Sequence, residues 1–183
     1  MRTELDGAVE LLDRALSYTR VALADVTDDV LDHPTPCSQW ALGDLLAHLE
    51  DALDAFIEAA AGAVRVGSTT PSGSRVADLQ QKACTLLGAW SRSTPGDVRI
   101  GGHDLASRLL VATAALEVTV HGWDVGQATG RRARIPEDLA RALLGIAGLV
   151  VAPADRGVRF GAPCPAAPDA SYDVRLLRFL GRT

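Results

Sequence analysis

The sequence predicts an all-α protein, and three features support that prediction. Apolar residues recur at helical spacing through several long stretches of the 183 residues, as they do on the buried face of an amphipathic helix. Prolines fall between those stretches or at the first residue of one, which is where proline is compatible with helices. No internal repeat or compositional break divides the chain. We therefore expect a single helical-bundle domain over residues 1–183.

The first two predicted helices cover residues 5–31 and 39–64. In both, apolar side chains recur every three or four residues, and acidic residues occupy the opposite face. This is the pattern of a helix that buries one side. Pro34 and Pro36 hold the connection extended, because proline stops a helix and restricts the residue before it. Ser38 is expected to cap the second helix.

Further helices and connections complete the prediction. Gly130 suits the C-terminal cap of the fourth helix, and Pro136 suits the start of the fifth. The remaining elements are, in chain order, a flexible polar loop over 67–74, a third helix over 75–92, a short extended piece over 98–100 with a turn at 101–102, a fourth helix over 104–130, a fifth over 136–151, an irregular tail over 153–168 and a short last helix over 172–180.

Composition and charge exclude several classes of function. A net charge of −5 argues against nucleic acid or an anionic membrane as a partner, since both attract basic surfaces. The three cysteines are widely spaced and odd in number, so no disulfide framework is predicted and a reducing cytoplasm fits best. The N-terminus lacks a signal-peptide core, and no uncharged apolar run reaches the roughly 18 residues of a membrane span. We expect a cytoplasmic protein that can form a homodimer.

A polar strip on the fourth predicted helix is the first candidate site. Glu117 and His121 are four residues apart, and Asp124 follows three residues later, so the three side chains share one helical face. Burying them unpaired beside the apolar stripe would cost roughly several kcal/mol. A divalent cation would remove that cost, and His48, at the margin of the second helix, is the candidate third ligand. Two imidazoles and one carboxylate, with open positions left, suit catalytic zinc or a similar metal.

Each candidate also has a plainer interpretation. A lone helical histidine such as His48 is usually a hydrogen-bonded core or surface residue, and a Glu–His pair four apart is often a surface pair. For Asp124 we favour an orienting or substrate-contacting role over direct ligation. His103 fits a solvated loop, although loops near a site can carry function. Cys37 has the helix-start setting of an activated thiol, but a small buried apolar role is preferred, and Trp40 is expected to fill the core.

Two motifs and the tail resemble a known family. Residues 35–40 (Thr-Pro-Cys-Ser-Gln-Trp) and 44–49 (Asp-Leu-Leu-Ala-His-Leu) resemble the entry to the second helix of the mycothiol-dependent maleylpyruvate isomerase family, a branch of the DinB-like superfamily. Residues 117–124 (Glu-Val-Thr-Val-His-Gly-Trp-Asp) resemble its second metal motif. The tail over 160–182 is similar to short actinobacterial members. The resemblance implies a DinB-like four-helix bundle with an additional C-terminal helix and an irregular tail.

The resemblance also implies a metal site and a class of reaction. In the family a divalent metal, usually zinc, is held by residues that match His48, Glu117 and His121. Members that act as enzymes use a low-molecular-weight thiol, typically mycothiol, whose thiolate adds to a small electrophile. An isomerase then eliminates the thiol, whereas a transferase leaves it attached. The characterised isomerase has an additional C-terminal domain, for which the chain after Gly130 looks too short, so the electrophile stays open.

Three hypotheses about function follow from the sequence. The first is a metal-dependent, thiol-using transferase or isomerase, supported by the three candidate ligands and their open coordination positions. The second is a non-catalytic metal-binding or stress-associated helical-bundle dimer. The third is a metal-free bundle with buried polar residues.

Overall fold

The computed structural model of this chain describes residues 2–37, 40–62, 75–92, 96–100, 103–157 and 159–183. The backbone is mainly helical and contains one two-stranded sheet, so the predicted all-α fold class is confirmed. The chain divides into two compact units, Met1–Arg132 and Ala133–Thr183. Among the described helices, none combines the length and the apolar character that a bilayer crossing requires.

The first unit is built from four long helices, which are α1 (Arg2–Leu23), α2 (Leu42–Ala59), α3 (Arg75–Arg92) and α4 (Ser107–Ala128). Its smaller elements are a 3-10 helix after α1 (Asp28–Val30) and an antiparallel hairpin before α4, formed by β1 (Asp97–Ile100) and β2 (His103–Ala106). Helix α1 lies along α4, and α2 packs against both α3 and α4. The core between them consists mainly of leucine and alanine side chains.

Helices α1 and α4 approach each other closely at Thr19 and Gly122. A Cβ atom placed on Gly122 would lie 2.3 Å from Oγ1 of Thr19, so only a hydrogen fits at that position. Oγ1 of Thr19 also donates a hydrogen bond to the carbonyl oxygen of Val118 over 2.8 Å. These contacts fix α4 against α1 within one turn of Glu117 and His121.

The predicted first helix over 5–31 is wrong at its C-terminal end. Helix α1 ends at Leu23, and Thr27 is extended, with φ −127° and ψ 164°. Val26 and Thr27 are β-branched and two aspartates follow them, and all three residue types have lower helix propensity than alanine or leucine. The local chain therefore leaves the helix before the 3-10 turn begins.

The predicted second helix over 39–64 is too long at both ends. Helix α2 begins at Leu42, because Ala41 is extended and its backbone N–H donates to Oδ2 of Asp44 over 3.1 Å. This bond satisfies a backbone donor at the helix start. The helix ends at Ala59, shortly before Gly62 takes a positive φ of 93°. The predicted cap, Ser38, lies outside the described residues.

The third helix is confirmed over 75–92, but the segment before α4 differs from the prediction. Residues of β2 that were assigned to the start of the fourth helix pair with β1 instead, with Val98 opposite Leu105. Helix α4 consequently begins at Ser107. The predicted loop over 67–74 and the turn at 101–102 lie outside the described residues.

The second unit contains α5 (Glu137–Val150), a 3-10 helix (Pro153–Asp155) and α6 (Tyr172–Phe179). Both α-helices agree with the predicted ranges to within one residue at each end. A buried carboxylate, Asp173, accepts two hydrogen bonds from Arg134, at 2.8 Å and 2.9 Å. This pair ties the segment before α5 to the first turn of α6.

Candidate metal centre

Three of the predicted site residues meet between α2 and α4. His48 lies on α2, and Glu117 and His121 lie on consecutive turns of α4. Oε1 of Glu117 is 2.9 Å from Nε2 of His48 and 3.1 Å from Nε2 of His121. One ligand atom from each residue lies within 4.8 Å of the other two. The structure thus brings these residues together as a group that can hold a metal ion.

The apolar packing of α2 against α4 explains why the three side chains converge. Leu45 and Leu49, which flank His48 on α2, are 0% and 1% exposed. Leu116 and Val120, which flank Glu117 and His121 on α4, are each 3% exposed. Side chains at the edge of these buried stripes therefore face the seam between the helices.

The three side chains of the cluster differ in their exposure to solvent. The side chain of His121 is 9% exposed, that of Glu117 is 19% exposed and that of His48 is 37% exposed. The cluster is therefore closed on the side of His121 and accessible on the side of His48.

Asp124 lies against the ring nitrogen of His121 that faces away from Glu117. Its Oδ2 is 3.0 Å from Nδ1 of His121, and its side chain is 0% exposed. A buried carboxylate at this position accepts the Nδ1–H bond and leaves Nε2 as the nitrogen directed at the cluster. This contact suits the predicted orienting role of Asp124.

Glu117 and His121 stabilise each other's charged forms. Burial favours the neutral form of Glu117, but hydrogen bonds from His121 and His48 outweigh it and hold the pKa of Glu117 well below its usual range. Burial likewise disfavours a charged imidazole, but the hydrogen bonds to Asp124 and Glu117 raise the pKa of His121 to about 9. These hydrogen bonds therefore favour the charged carboxylate of Glu117 and the charged imidazole of His121.

The sequence prediction for Cys37 missed its contact with Asp124 beside the cluster. Its side chain is half-buried rather than buried, and its thiol donates to Oδ2 of Asp124 over 3.7 Å. Cys37, His121 and Asp124 form a second group whose ligand atoms lie within 4.8 Å of one another. Its position just before the start of α2 was visible in the sequence, but its contact with α4 spans 87 residues and has no local signal.

Trp40 forms a wall of the site instead of filling the core. Its ring centroid is 4.6 Å from that of His48 and 6.2 Å from that of His121. The hydroxyl of Thr35 donates to the carbonyl oxygen of Trp40 over 2.9 Å. Trp40 is half-buried, so the prediction that it fills the core is wrong.

The two other histidines occupy different places. Nδ1 of His33 donates to the carbonyl oxygen of Ala128 over 2.9 Å, where it satisfies one of the terminal acceptors of α4. The predicted loop position of His103 is wrong, because His103 begins β2 and its backbone pairs with Ile100 of β1. His33 belongs to neither of the two groups of potential ligands found among the described residues.

Comparison with known proteins identifies a family and several relatives. Residues 12–126 match the model of the mycothiol maleylpyruvate isomerase N-terminal domain. Uncharacterised proteins from two strains of Mycobacterium tuberculosis are each 28% identical over 179 residues, covering 93% of this chain and 94% of the relative. The aligned length includes both compact units.

A solved structure shares the fold of this chain. It is the crystal structure of a histidine-to-alanine mutant of the mycothiol-dependent maleylpyruvate isomerase, with a TM-score of 0.53 and 18% sequence identity. The match covers 76% of this chain and 68% of the other. At this identity the likeness establishes the common helical architecture.

Proposed function

The chain belongs to the mycothiol maleylpyruvate isomerase N-terminal domain family, and on that basis we propose that it is a divalent-metal-dependent enzyme that uses a low-molecular-weight thiol. The proposed thiol is mycothiol, and the proposed reaction is its addition to a small electrophile in a transfer or an isomerisation. Family membership supports the thiol, and the geometry of the cluster supports the metal.

One observation carries the proposal, which is the convergence of His48, Glu117 and His121 on one accessible point. The donor set fits a divalent metal, because two imidazole nitrogens and one carboxylate oxygen are the three protein ligands of many catalytic zinc sites. Such sites keep a further position for a substrate. The partial exposure of His48 provides an approach to that position.

The residues around the cluster have separable roles in this proposal. Glu117 contributes the negative charge that offsets part of the charge of a divalent ion. Asp124 holds the ring of His121 through Nδ1, and the indole of Trp40 forms an apolar wall beside His48. A bound divalent metal would supply the means to deprotonate a thiol at neutral pH. In this proposal His48, Glu117 and His121 bind the metal, Asp124 orients His121, and Trp40 shields one side of the site.

The ligand assignment is tested by measuring bound zinc in the purified full chain and in His48→Ala, Glu117→Gln and His121→Ala variants. We expect about one equivalent in the wild type and a large loss in each variant. His33→Gln is the matched control, because His33 is a hydrogen-bonded histidine on another part of the unit, and it should keep the metal. Full zinc occupancy in the His48→Ala and His121→Ala variants would contradict the assignment.

The reaction is tested separately by incubating the metal-loaded protein with mycothiol and a panel of electrophiles. Mass spectrometry should show metal-dependent loss of thiol or isomerisation of the electrophile, and both should disappear in the His121→Ala variant. Stoichiometric zinc without turnover across the panel would favour the non-catalytic metal-binding bundle instead.

A further inference from the structure

Cys37 and His121 contact the same oxygen atom of a buried carboxylate. The thiol of Cys37 donates to Oδ2 of Asp124 over 3.7 Å, and Nδ1 of His121 lies 3.0 Å from that oxygen. One ligand atom from each of the three residues lies within 4.8 Å of the other two. Cys37 therefore reaches, through one carboxylate, an imidazole that is a ligand candidate of the metal centre.

The orientation of the Asp124 carboxylate depends on the groups that contact it. The last torsion of an aspartate side chain has only broad energy minima, so the carboxylate can rotate unless hydrogen bonds hold it. The side chain of Asp124 is 0% exposed, so contacts within the protein set its orientation. A rotation that moved Oδ2 away from Nδ1 of His121 would also break its contact with the thiol of Cys37. The thiol therefore opposes the rotation that would release His121.

The backbone on both sides of Cys37 is anchored by hydrogen bonds that do not use the thiol. The backbone N–H of Trp40 donates to the carbonyl oxygen of Cys37 over 2.8 Å, and that of Leu42 donates to the carbonyl oxygen of His33 over 2.9 Å. Loss of the thiol would leave these bonds in place. The contact of Cys37 with Asp124 is thus available to orient the carboxylate.

These contacts assign a role to a residue outside the three ligand candidates. We propose that Cys37 is a positioning residue of the candidate metal centre. Its thiol holds the carboxylate of Asp124 against Nδ1 of His121, so that Nε2 stays directed at Glu117 and His48. This inference rests on the proposed metal-dependent function and extends the support of His121 to the segment before α2.

Zinc affinity of the full chain, measured by competition with a chromophoric chelator, provides the first test. Cys37→Ala should weaken zinc binding about threefold to tenfold, which is less than the loss of roughly 10- to 100-fold that removal of an orienting carboxylate typically causes. Cys37→Ser keeps a donor and should recover part of the affinity. Cys164→Ala is the matched control and should bind zinc like the wild type, because Cys164 is another half-buried cysteine and its thiol contacts the carbonyl oxygen of Ala162.

A double-mutant cycle with Asp124→Ala separates positioning from an independent effect of Cys37. If the thiol acts through Asp124, Cys37→Ala should change zinc affinity by less than about twofold once the carboxylate is absent, because the effects of coupled positions do not add. Additive losses would overturn the proposal. A thiolate-to-metal charge-transfer band in the cobalt-loaded wild type that disappears in Cys37→Ala would make Cys37 a ligand and overturn it as well.

NMR of the His121 ring in the metal-free full chain tests the contact without relying on zinc. The Nδ1–H proton resonance of His121 should shift in Cys37→Ala, return toward its wild-type position in Cys37→Ser and stay unchanged in Cys164→Ala. If Cys37→Ala fails to fold, Cys37→Val replaces it, because valine fills a similar space without a donor. An unchanged resonance in the folded variant would overturn the role of Cys37, whereas absence of zinc from the wild type would count against the proposed function.

Discussion

Nδ1 of His121 lies 3.0 Å from the buried carboxylate of Asp124, while Nε2 of the same ring faces Glu117 at 3.1 Å. The two ring nitrogens therefore have different partners. If Asp124 accepts the Nδ1–H bond, the lone pair of a neutral His121 is on Nε2, where the other two ligand candidates converge. Asp124 thereby acts on the cluster through the orientation of His121.

Replacing Asp124 with asparagine should weaken zinc binding while leaving the ligand candidates in place. Removal of a carboxylate that orients a metal-binding histidine typically reduces metal affinity about 10- to 100-fold. Competition with a chromophoric chelator measures the change. Asp51→Asn, on the exposed face of α2, is the control and should leave the affinity unchanged. An Asp124→Asn variant with wild-type affinity and wild-type helix content would remove Asp124 from the site.

The relation between Glu117 and His121 could be predicted from the sequence, because a spacing of four places two side chains together on any helix. The distance from His48 to Glu117 could not, since it depends on how α2 and α4 are aligned. Cys37 and Trp40 were missed for a related reason. Both precede α2, and their contacts with α4, such as that of the Cys37 thiol with Asp124, join residues far apart in the sequence.

The fold shows the same division between local and distant causes. Helix α3 was predicted to the residue because its apolar periodicity is regular and its ends are marked by turn residues. The hairpin before α4 was only half predicted, since each strand has four residues and is stabilised by its partner. Helix α1 was extended too far because Val26 continues the apolar spacing after the backbone has left the helix.

Gly122→Ala should destabilise the first unit. The added Cβ would lie 2.3 Å from Oγ1 and 2.9 Å from Cβ of Thr19, so α1 and α4 would have to separate. Overpacking of this kind typically costs about 1–3 kcal/mol. Urea unfolding followed by circular dichroism measures the loss. Gly145→Ala on α5 is the matched control, because nothing lies within 4 Å of its added Cβ, and it should be neutral or stabilising by up to about 1 kcal/mol.

Lys82→Met should also destabilise the protein, because it removes the cationic partner of the buried carboxylate of Glu50. Nζ of Lys82 is 3.0 Å from Oε1 of Glu50, whose side chain is 8% exposed, and it also contacts the carboxylate of Asp54. Loss of the cation leaves the buried carboxylate of Glu50 without that charge. Because Lys82 and Asp54 are partly exposed, we expect a cost of about 1–3 kcal/mol, below that of a fully buried pair. Denaturant unfolding measures the change.

The exposed ion pair of Arg99 with Asp104 provides the comparison for Lys82. Its side chains are 69% and 54% exposed, so Arg99→Ala should change the free energy of unfolding by less than about 1 kcal/mol. The combined Lys82→Met and Glu50→Leu substitution should recover much of the stability lost in Lys82→Met, because no unpaired carboxylate remains at position 50. If Lys82→Met and Arg99→Ala lower the free energy of unfolding equally, burial does not determine the cost of losing these ion pairs.

The ion pair of Arg134 with Asp173 should make the second unit sensitive to acid. Hydrogen bonds from Arg134 outweigh the effect of burial and lower the pKa of Asp173 to about 2. Because the folded pKa lies below the ordinary value of 3.8, the stabilisation is present above about pH 4 and is lost as the pH falls toward 2. We expect a contribution of about 1 kcal/mol, since Arg134 is 70% exposed and its charge is screened by solvent.

Thermal unfolding of wild type and Arg134→Gln at several pH values tests this contribution. The variant should be less stable at pH 7, and the difference should shrink as the pH falls from 4 to 2, where Asp173 becomes protonated in both proteins. Arg159→Gln is the matched control, because its contact with Asp155 at 3.6 Å is long and its side chain is 61% exposed. A stability difference between wild type and Arg134→Gln that stays constant from pH 7 to pH 2 would show that Arg134 acts through packing and not through the charge of Asp173.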